Sequence, residues 1–364
     1  MTTVTMTIDG QKVEAEYGQT ILQAAREAGI HIPVLCDHPA LPPEGACRIC
    51  LVEIEKQRAL HPACTFPASD GLVVHTHSDR VVEARKFTLE LLISDHPLDC
   101  MTCDATGNCL LQDLAYEYGV KGDRFEGVQH NYVVDDPNPF IQVDRNKCIL
   151  CRRCVRACSH INGVEAISVF YRGFNAYIGF GADGPMEESP CEFCGSCVEV
   201  CPTGALMPKM SIGQGRPWQV EQVQTTCPYC GVGCQIILDV KDGEIIKVES
   251  AWDGPSNHGW TCVKGRFGWD FVHHSDRLTK PMVRQYLLDG KKKPKKKLGD
   301  WVEVDWDTAL DITAQKLCEA RDTHGPDSVG VLTSAKCLNE ENYLMNKFAR
   351  QVIGTNSIDH CARL

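Results

Sequence analysis

CILCRRCVRAC, residues 148–158, and CEFCGSCVEVCP, residues 191–202, carry one spacing twice: Cys-x2-Cys-x2-Cys-x3-Cys. Cys148, Cys151, Cys154 and Cys158 form the first run, and Cys191, Cys194, Cys197 and Cys201 the second, with Pro202 after it. Repetition of this kind marks an internal duplication. The spacing suits two [4Fe-4S] clusters, and in such pairs the fourth cysteine of each run serves the other cluster. Cys201 is therefore assigned to Cys148, Cys151 and Cys154, and Cys158 to Cys191, Cys194 and Cys197. Ser159 stands where a proline is usual, which leaves the ligands intact.

Outward from this block, cysteine sets the chain apart: 22 in 364 residues. The start, MTTVTMTIDG, shows no basic region, apolar core or twin arginine of an export signal, so a cytoplasmic protein is expected. Thiolates in a reducing compartment serve as metal ligands more often than as crosslinks. At 43% apolar and 23% charged residues the chain reads as folded and soluble, with no stretch apolar enough to span a bilayer. A net charge of -11 argues against general nucleic-acid binding. The exception, KKKPKKK at 291–297, reads as a solvated loop, with a docking patch as the other reading.

Toward the N-terminus, TVTMTI and KVEAEY alternate around Asp9-Gly10, a hairpin signature. Thr20 caps a helix over ILQAAREA, which Gly29 ends. Strand, strand, helix and cysteine loop open a beta-grasp ferredoxin domain. Cys36, Cys47, Cys50 and Cys64 follow in a Gly/Pro-rich stretch and suit a [2Fe-2S] cluster, with zinc as the alternative. Next, HPLDCMTCDATGNC supplies Cys100, Cys103 and Cys109, one ligand short of a cubane, with His96 upstream to fill the place. A neutral imidazole in place of a thiolate should raise the potential of that cluster.

Toward the C-terminus, TTCPYCGVGC gives Cys227, Cys230 and Cys234, and a hairpin on Asp242-Gly243 leads to Cys262, the set for a fourth cubane on a beta-rich module. Cys318, Cys337 and Cys361 remain. Cys318 is expected to be buried on a helical stripe with Leu310, Ala314 and Leu317. SVGVLTSA reads as a strand, and NEENYLMNKFARQV as a helix with the stripe Leu344, Phe348, Val352 and a stop at Gly354.

Residues 1–202 resemble the relay arm shared by the large iron-sulfur subunit of respiratory complex I, iron-only hydrogenases and NAD-linked formate dehydrogenases. Residues 220–364 resemble the start of molybdenum or tungsten bis-pterin oxidoreductases. CPYCGVGC, Lys264 after Cys262, and SAKCLNEENYLMNKFARQVIGTNSIDHCARL look like a formate dehydrogenase alpha subunit. The resemblance implies an α+β multidomain chain. It would comprise a beta-grasp [2Fe-2S] ferredoxin domain at 1–79, a [4Fe-4S] domain with one histidine and three cysteine ligands at 80–119, and a two-cluster bacterial ferredoxin-like domain at 138–209. A molybdopterin oxidoreductase [4Fe-4S] module at 220–276 and an incomplete α/β molybdopterin-binding catalytic domain at 277–364 complete it.

Five clusters without a substrate site spell an electron wire. By the resemblance, the complete enzyme oxidises formate to carbon dioxide on a Mo or W bis-molybdopterin guanine dinucleotide. Its electrons pass to flavin/NAD-binding diaphorase-type subunits, or to ferredoxin or hydrogenase subunits. Lys264 matches a lysine between cubane and pterin, where a cofactor-binding role and a surface lysine are both open readings. In the family HCARL is followed by the metal-ligating selenocysteine or cysteine, here expected at position 365, so no catalytic residue is expected within the chain and the fragment alone should not oxidise formate. A reading frame cut at a UGA codon would account for this. The alternative is a stand-alone iron-sulfur electron-transfer subunit of a complex I-like or hydrogenase/formate dehydrogenase complex.

Overall fold

β1 (Thr3–Ile8) and β2 (Gln11–Glu16) pair antiparallel through a turn in which Asp9 (φ 48) and Gly10 (φ 85) are both left-handed, the geometry that matches strand twist. The structure is a computed structural model and describes residues 3–122, 124–134, 137–291, 294–295 and 298–362. Residues 292, 293, 296 and 297 of the lysine run, and the last two residues of SIDHCARL, lie outside the described residues. The chain divides into two compact units: Met1–Val223 with Leu238–Glu249 and Thr261–Phe267, and Gln224–Ile237 with Ser250–Trp260 and Gly268–Leu364.

In the first unit Thr20 caps α1 (Ile21–Glu27): its hydroxyl accepts from Gln23 N, and the Gln23 side chain accepts from Thr20 N in return. β3 (Leu51–Ile54), β4 (His61–Pro62) and β5 (Val73–His75) complete a sheet of order β2-β1-β5-β3-β4. β5 is parallel to β1 and antiparallel to β3. Alternation places Val4, Met6 and Ile8 against Ile21, Leu22 and Ala25. Burying Ile21 or Leu22 contributes about 1.5–3 kcal/mol each.

α2 (Asp79–Ser94) and α3 (Leu110–Glu117) pack through Leu89, Ile93, Leu111 and Leu114 on Leu35 and Ile49 of the cysteine loop. Fully buried Arg85 secures this layer, donating to the Tyr118 hydroxyl at 3.0 Å and to Leu51 O at 2.8 Å. β6 (Ile141–Val143), α4 (Arg153–Arg156), β7 (Ile167–Phe170), β8 (Tyr177–Phe180), α5 (Ser196–Glu199) and β9 (Leu206–Pro208) follow. β6 pairs with β9 and β7 with β8, both antiparallel, so the first and last strands of the duplicated segment close on each other.

Residues 220–276 are divided between the two units. The hairpin on Asp242 (φ 53) and Gly243 (φ 84) and the helix Val263–Phe267 belong to the first. There Phe267 stacks on Phe140 with centroids 5.1 Å apart, and Arg266 is buried.

In the second unit, strand Val331–Thr333 runs parallel to Ile358–His360, joined by helix Asn339–Lys347, a β-α-β unit. Two expectations are corrected. Leu344 and Val352 are 59% and 55% exposed, and Ala349 and Ile353 are the buried pair. The turn Phe348–Ile353 is π-helical, with Gly354 N bonded to Ala349 O, and its extra residue per turn rotates the stripe away. Likewise no residue of helix Trp306–His324 is buried, so Leu310 and Cys318 are exposed and the stripe stays uncovered among the described residues of this unit. No described helix is long and apolar enough to cross a membrane.

Candidate metal centres

All 22 cysteines are free thiols, and most converge in sets. Cys36, Cys47, Cys50 and Cys64 are buried at the edge of the five-stranded sheet. Cys36 N donates to Cys47 Sγ at 3.3 Å. Hydrogen bonds from Cys47 and then Cys64 hold the Cys36 thiol well below its ordinary value, and the same contact raises Cys47 and Cys64. Four sulfurs that share protons in this way are a donor set that fits a metal cation in the protons' place.

Cys100, Cys103 and Cys109 are half-buried on the loop before α3. Burial pushes the Cys109 thiol up to about 11, with Cys103 and Cys100 among its charged neighbours. Burial also lowers His96, and its Nδ1 is buried without a hydrogen-bond partner among the described residues. An orphaned imidazole nitrogen upstream of three thiols is the donor set a cubane with one histidine requires. Gly204 backs the loop: a Cβ there would stand 3.1 Å from Cys103 Sγ.

The duplicated segment encloses two cavities. One, of about 30 Å³, is lined by Cys148, Cys151, Cys154 and Cys201, and the other, of about 20 Å³, by Cys158, Cys191, Cys194 and Cys197. The backbone repeats with the thiols. Leu150 (φ 52) and Arg152 (φ 59) are left-handed in the first run, as are Phe193 (φ 53) and Gly195 (φ 77) at the matching places in the second. Left-handed residues between right-handed ones turn successive N–H groups inward, a concavity for anions. Phe193 N accordingly donates to Cys191 Sγ at 3.4 Å, and Ala166 N to Cys158 Sγ at 3.2 Å. Burial pushes Cys148 and Cys151 up to about 12, so these thiols hold their protons until a cation takes the place. The donor sets thus fit iron-sulfur clusters. Among the described residues no three such side chains close round one point as a single-ion site would need.

Cys227, Cys230 and Cys234 lie in the second unit, where Cys227 N donates to Cys234 O at 2.8 Å and Asn339 Nδ2 to Gly231 O at 2.7 Å. Cys262 and Lys264, both exposed, belong to the first. Of the three leftover cysteines, Cys361 Sγ accepts from Ala335 N at 3.3 Å, while Cys337 is half-buried and Cys318 exposed. Arg153 and Arg156 carry no signature in the sequence, although both stand inside the first cysteine run. Their partners lie in a distant loop that spacing does not reveal.

Matches to known families cover the chain in succession. Residues 1–79 match the 2Fe-2S iron-sulfur cluster binding domain, 85–124 the NADH-ubiquinone oxidoreductase-G iron-sulfur binding region, and 138–207 the ferredoxin-like domain of NADH-quinone oxidoreductase subunit 3. Residues 220–274 match the molybdopterin oxidoreductase Fe4S4 domain, and 277–364 molybdopterin oxidoreductase. In order along the chain, the matches run from a 2Fe-2S domain through two iron-sulfur regions of NADH-quinone oxidoreductase type to two molybdopterin oxidoreductase domains. The chain is 39% identical over 362 residues to an NADH-quinone oxidoreductase subunit of Rhizobium meliloti, across 99% of its own length and 40% of that protein. It is 32% identical over 397 residues to a provisionally named formate dehydrogenase of Staphylococcus aureus, across 98% of its length and 39% of the other. It thus spans about 40% of the length of the curated relatives it matches. Among solved structures it is similar to a chain of an NAD+-reducing [NiFe]-hydrogenase in the H2-reduced state, with TM-score 0.55 and 34% identity, over 58% of this chain and 90% of that one.

Proposed function

We propose that the chain is the electron-transfer part of a larger oxidoreductase, relaying single electrons between a molybdopterin-type catalytic region and a partner that handles NAD(H). The observation that carries this is the pair of cavities in the duplicated segment, each lined by four thiols drawn from both runs. Bound iron-sulfur clusters supply one-electron chemistry there. The chain's own part is to hold them: Cys36, Cys47, Cys50 and Cys64 a [2Fe-2S] cluster, His96 with Cys100, Cys103 and Cys109 a [4Fe-4S] cluster, and the two cavity sets one [4Fe-4S] cluster each. Cys227, Cys230, Cys234 and Cys262 are the ligands we assign to the fourth cubane. Lys264 is the residue we assign to a pterin in the longer protein.

For that longer protein we propose formate as substrate and a Mo or W pterin as its centre. The support is the formate dehydrogenase resemblance of CPYCGVGC and of residues 334–364, together with the Staphylococcus relative. A second reading, a subunit of an NADH-quinone oxidoreductase-like complex, is favoured by the Rhizobium relative and by the family descriptions matched at 85–124 and 138–207. The hydrogenase likeness supports a diaphorase-type partner under either reading.

Anaerobic purification with metal and sulfide analysis tests the relay. About eighteen irons per chain are expected from one two-iron and four four-iron clusters, and zinc without sulfide would overturn the assignment. Formate-dependent reduction of the iron-sulfur signals in the longer protein separates the two readings, since the second expects reduction by NADH alone.

A further inference from the structure

We propose that Arg153 and Arg156 form a shared cationic bridge between the Cys36/47/50/64 set and the Cys148/151/154/201 set, and raise the potentials of both clusters together. The inference rests on the ligand assignment of the preceding subsection. Placed three apart on α4, the two side chains share a face of the helix. They are 5% and 4% exposed. Arg156 donates through Nη2 to Cys36 O and to Cys151 O, the latter at 3.4 Å, and through Nη1 to Pro42 O. Arg153 donates through Nη2 to Asp37 O at 2.5 Å and through Nη1 to Val200 O at 3.4 Å, beside Cys201. One helix thus fastens the main chain beside a ligand of each cluster.

These hydrogen bonds end on carbonyls, which do not cancel charge. Two carboxylates stand nearby: Asp37 pairs with Arg26 at 2.6 Å, and Glu44 pairs with Arg152 at 2.8 Å and more loosely with Arg156 Nε at 3.8 Å, so that its one charge is shared by two arginines. Arg153 Nε is buried with no hydrogen-bond partner among the described residues. A buried N–H in this setting is a donor waiting for sulfur.

Reduction of a cluster adds one negative charge, and a fixed cation stabilises the reduced form, raising the potential. Because both arginines serve both sets, the two potentials move together and the driving force between the clusters is preserved. Removing either cation should lower both.

Redox titration of the purified chain followed by EPR tests this. Arg153→Gln and Arg156→Gln should retain iron and lower the midpoints of the [2Fe-2S] signal and one [4Fe-4S] signal, leaving the others in place. Arg153→Lys should stay near wild type, because it keeps the charge. Glu44→Gln, at a partly exposed position, should shift both midpoints upward and does not depend on the glutamine variants folding. Unshifted midpoints in Glu44→Gln or in iron-retaining glutamine variants would overturn the bridge, as would a lysine variant that shifts as far as glutamine. A wild-type chain without the [2Fe-2S] signal would overturn the ligand assignment and this inference with it, whereas normal wild-type signals with unshifted variants overturn this inference alone.

Discussion

Arg266 Nη1 donates to Glu199 Oε2 at 2.6 Å, and the two side chains are only 2% and 14% exposed. The pair ties helix Val263–Phe267 to α5, which carries Cys197, and Arg266 also donates to Val248 O at 3.0 Å. Truncating one member strands a buried charge. Glu199→Ala is expected to cost about 3–5 kcal/mol of stability, read from the denaturant midpoint, and Arg266→Leu with Glu199→Leu together should cost less than Glu199→Ala. A near-neutral single variant would show that the pair is not holding the helix.

Changing His96 to Cys should leave total iron unchanged and lower the potential of one cubane, because thiolate replaces a neutral imidazole. Potentiometric EPR reads this directly. An unshifted set of signals would count against ligation by His96.

A Cβ on Gly204 would meet Cys103 Sγ and Ala105 Cβ at 3.1 Å, so that even alanine asks both to give way by a few tenths of an ångström and a branched side chain asks more. Gly204→Val should push Cys103 aside and remove about four irons per chain, the content of one cubane. Iron and sulfide assays check it, with full iron as the refuting result.

Gly10 tests the hairpin separately from the metal sites. Nothing lies within 4 Å of a Cβ built on it, but its φ of 85 is left-handed. Gly10→Ala should therefore cost about 1–2 kcal/mol through the backbone alone. Thermal unfolding should show the loss at constant iron.

Cys318 is exposed, so Cys318→Ser should change stability by less than about 0.5 kcal/mol and leave the iron content as it was. A large loss would mean that another chain covers that helix face.

Local chemistry made part of this structure readable. Asp9-Gly10 dictates its turn and Thr20 with Gln23 its cap within a few residues, and each of the two cavity linings draws its four thiols from both runs. What escaped depends on distance or on helix phase. The π turn at Phe348–Ile353 leaves no mark in the apolar pattern, yet it holds the buried pair, Ala349 and Ile353. Phe267 packs on Phe140, and Arg153 and Arg156 bond to carbonyls more than a hundred residues earlier, so neither relationship shows in a window of sequence. The uncovered stripe on Trp306–His324 has the same cause: periodicity tells which residues could be buried, and a neighbour decides whether they are.

Arg152 and Gly195 occupy one position in two copies of the same left-handed bend. In the first copy the side chain reaches out to Glu44, whereas in the second a Cβ would lie 2.6 Å from Arg266 Cγ. The halves are therefore no longer interchangeable. Grafting CILCRRC over CEFCGSC would preserve every sulfur and still fail, because the empty place at Gly195 is the seat of a neighbouring arginine.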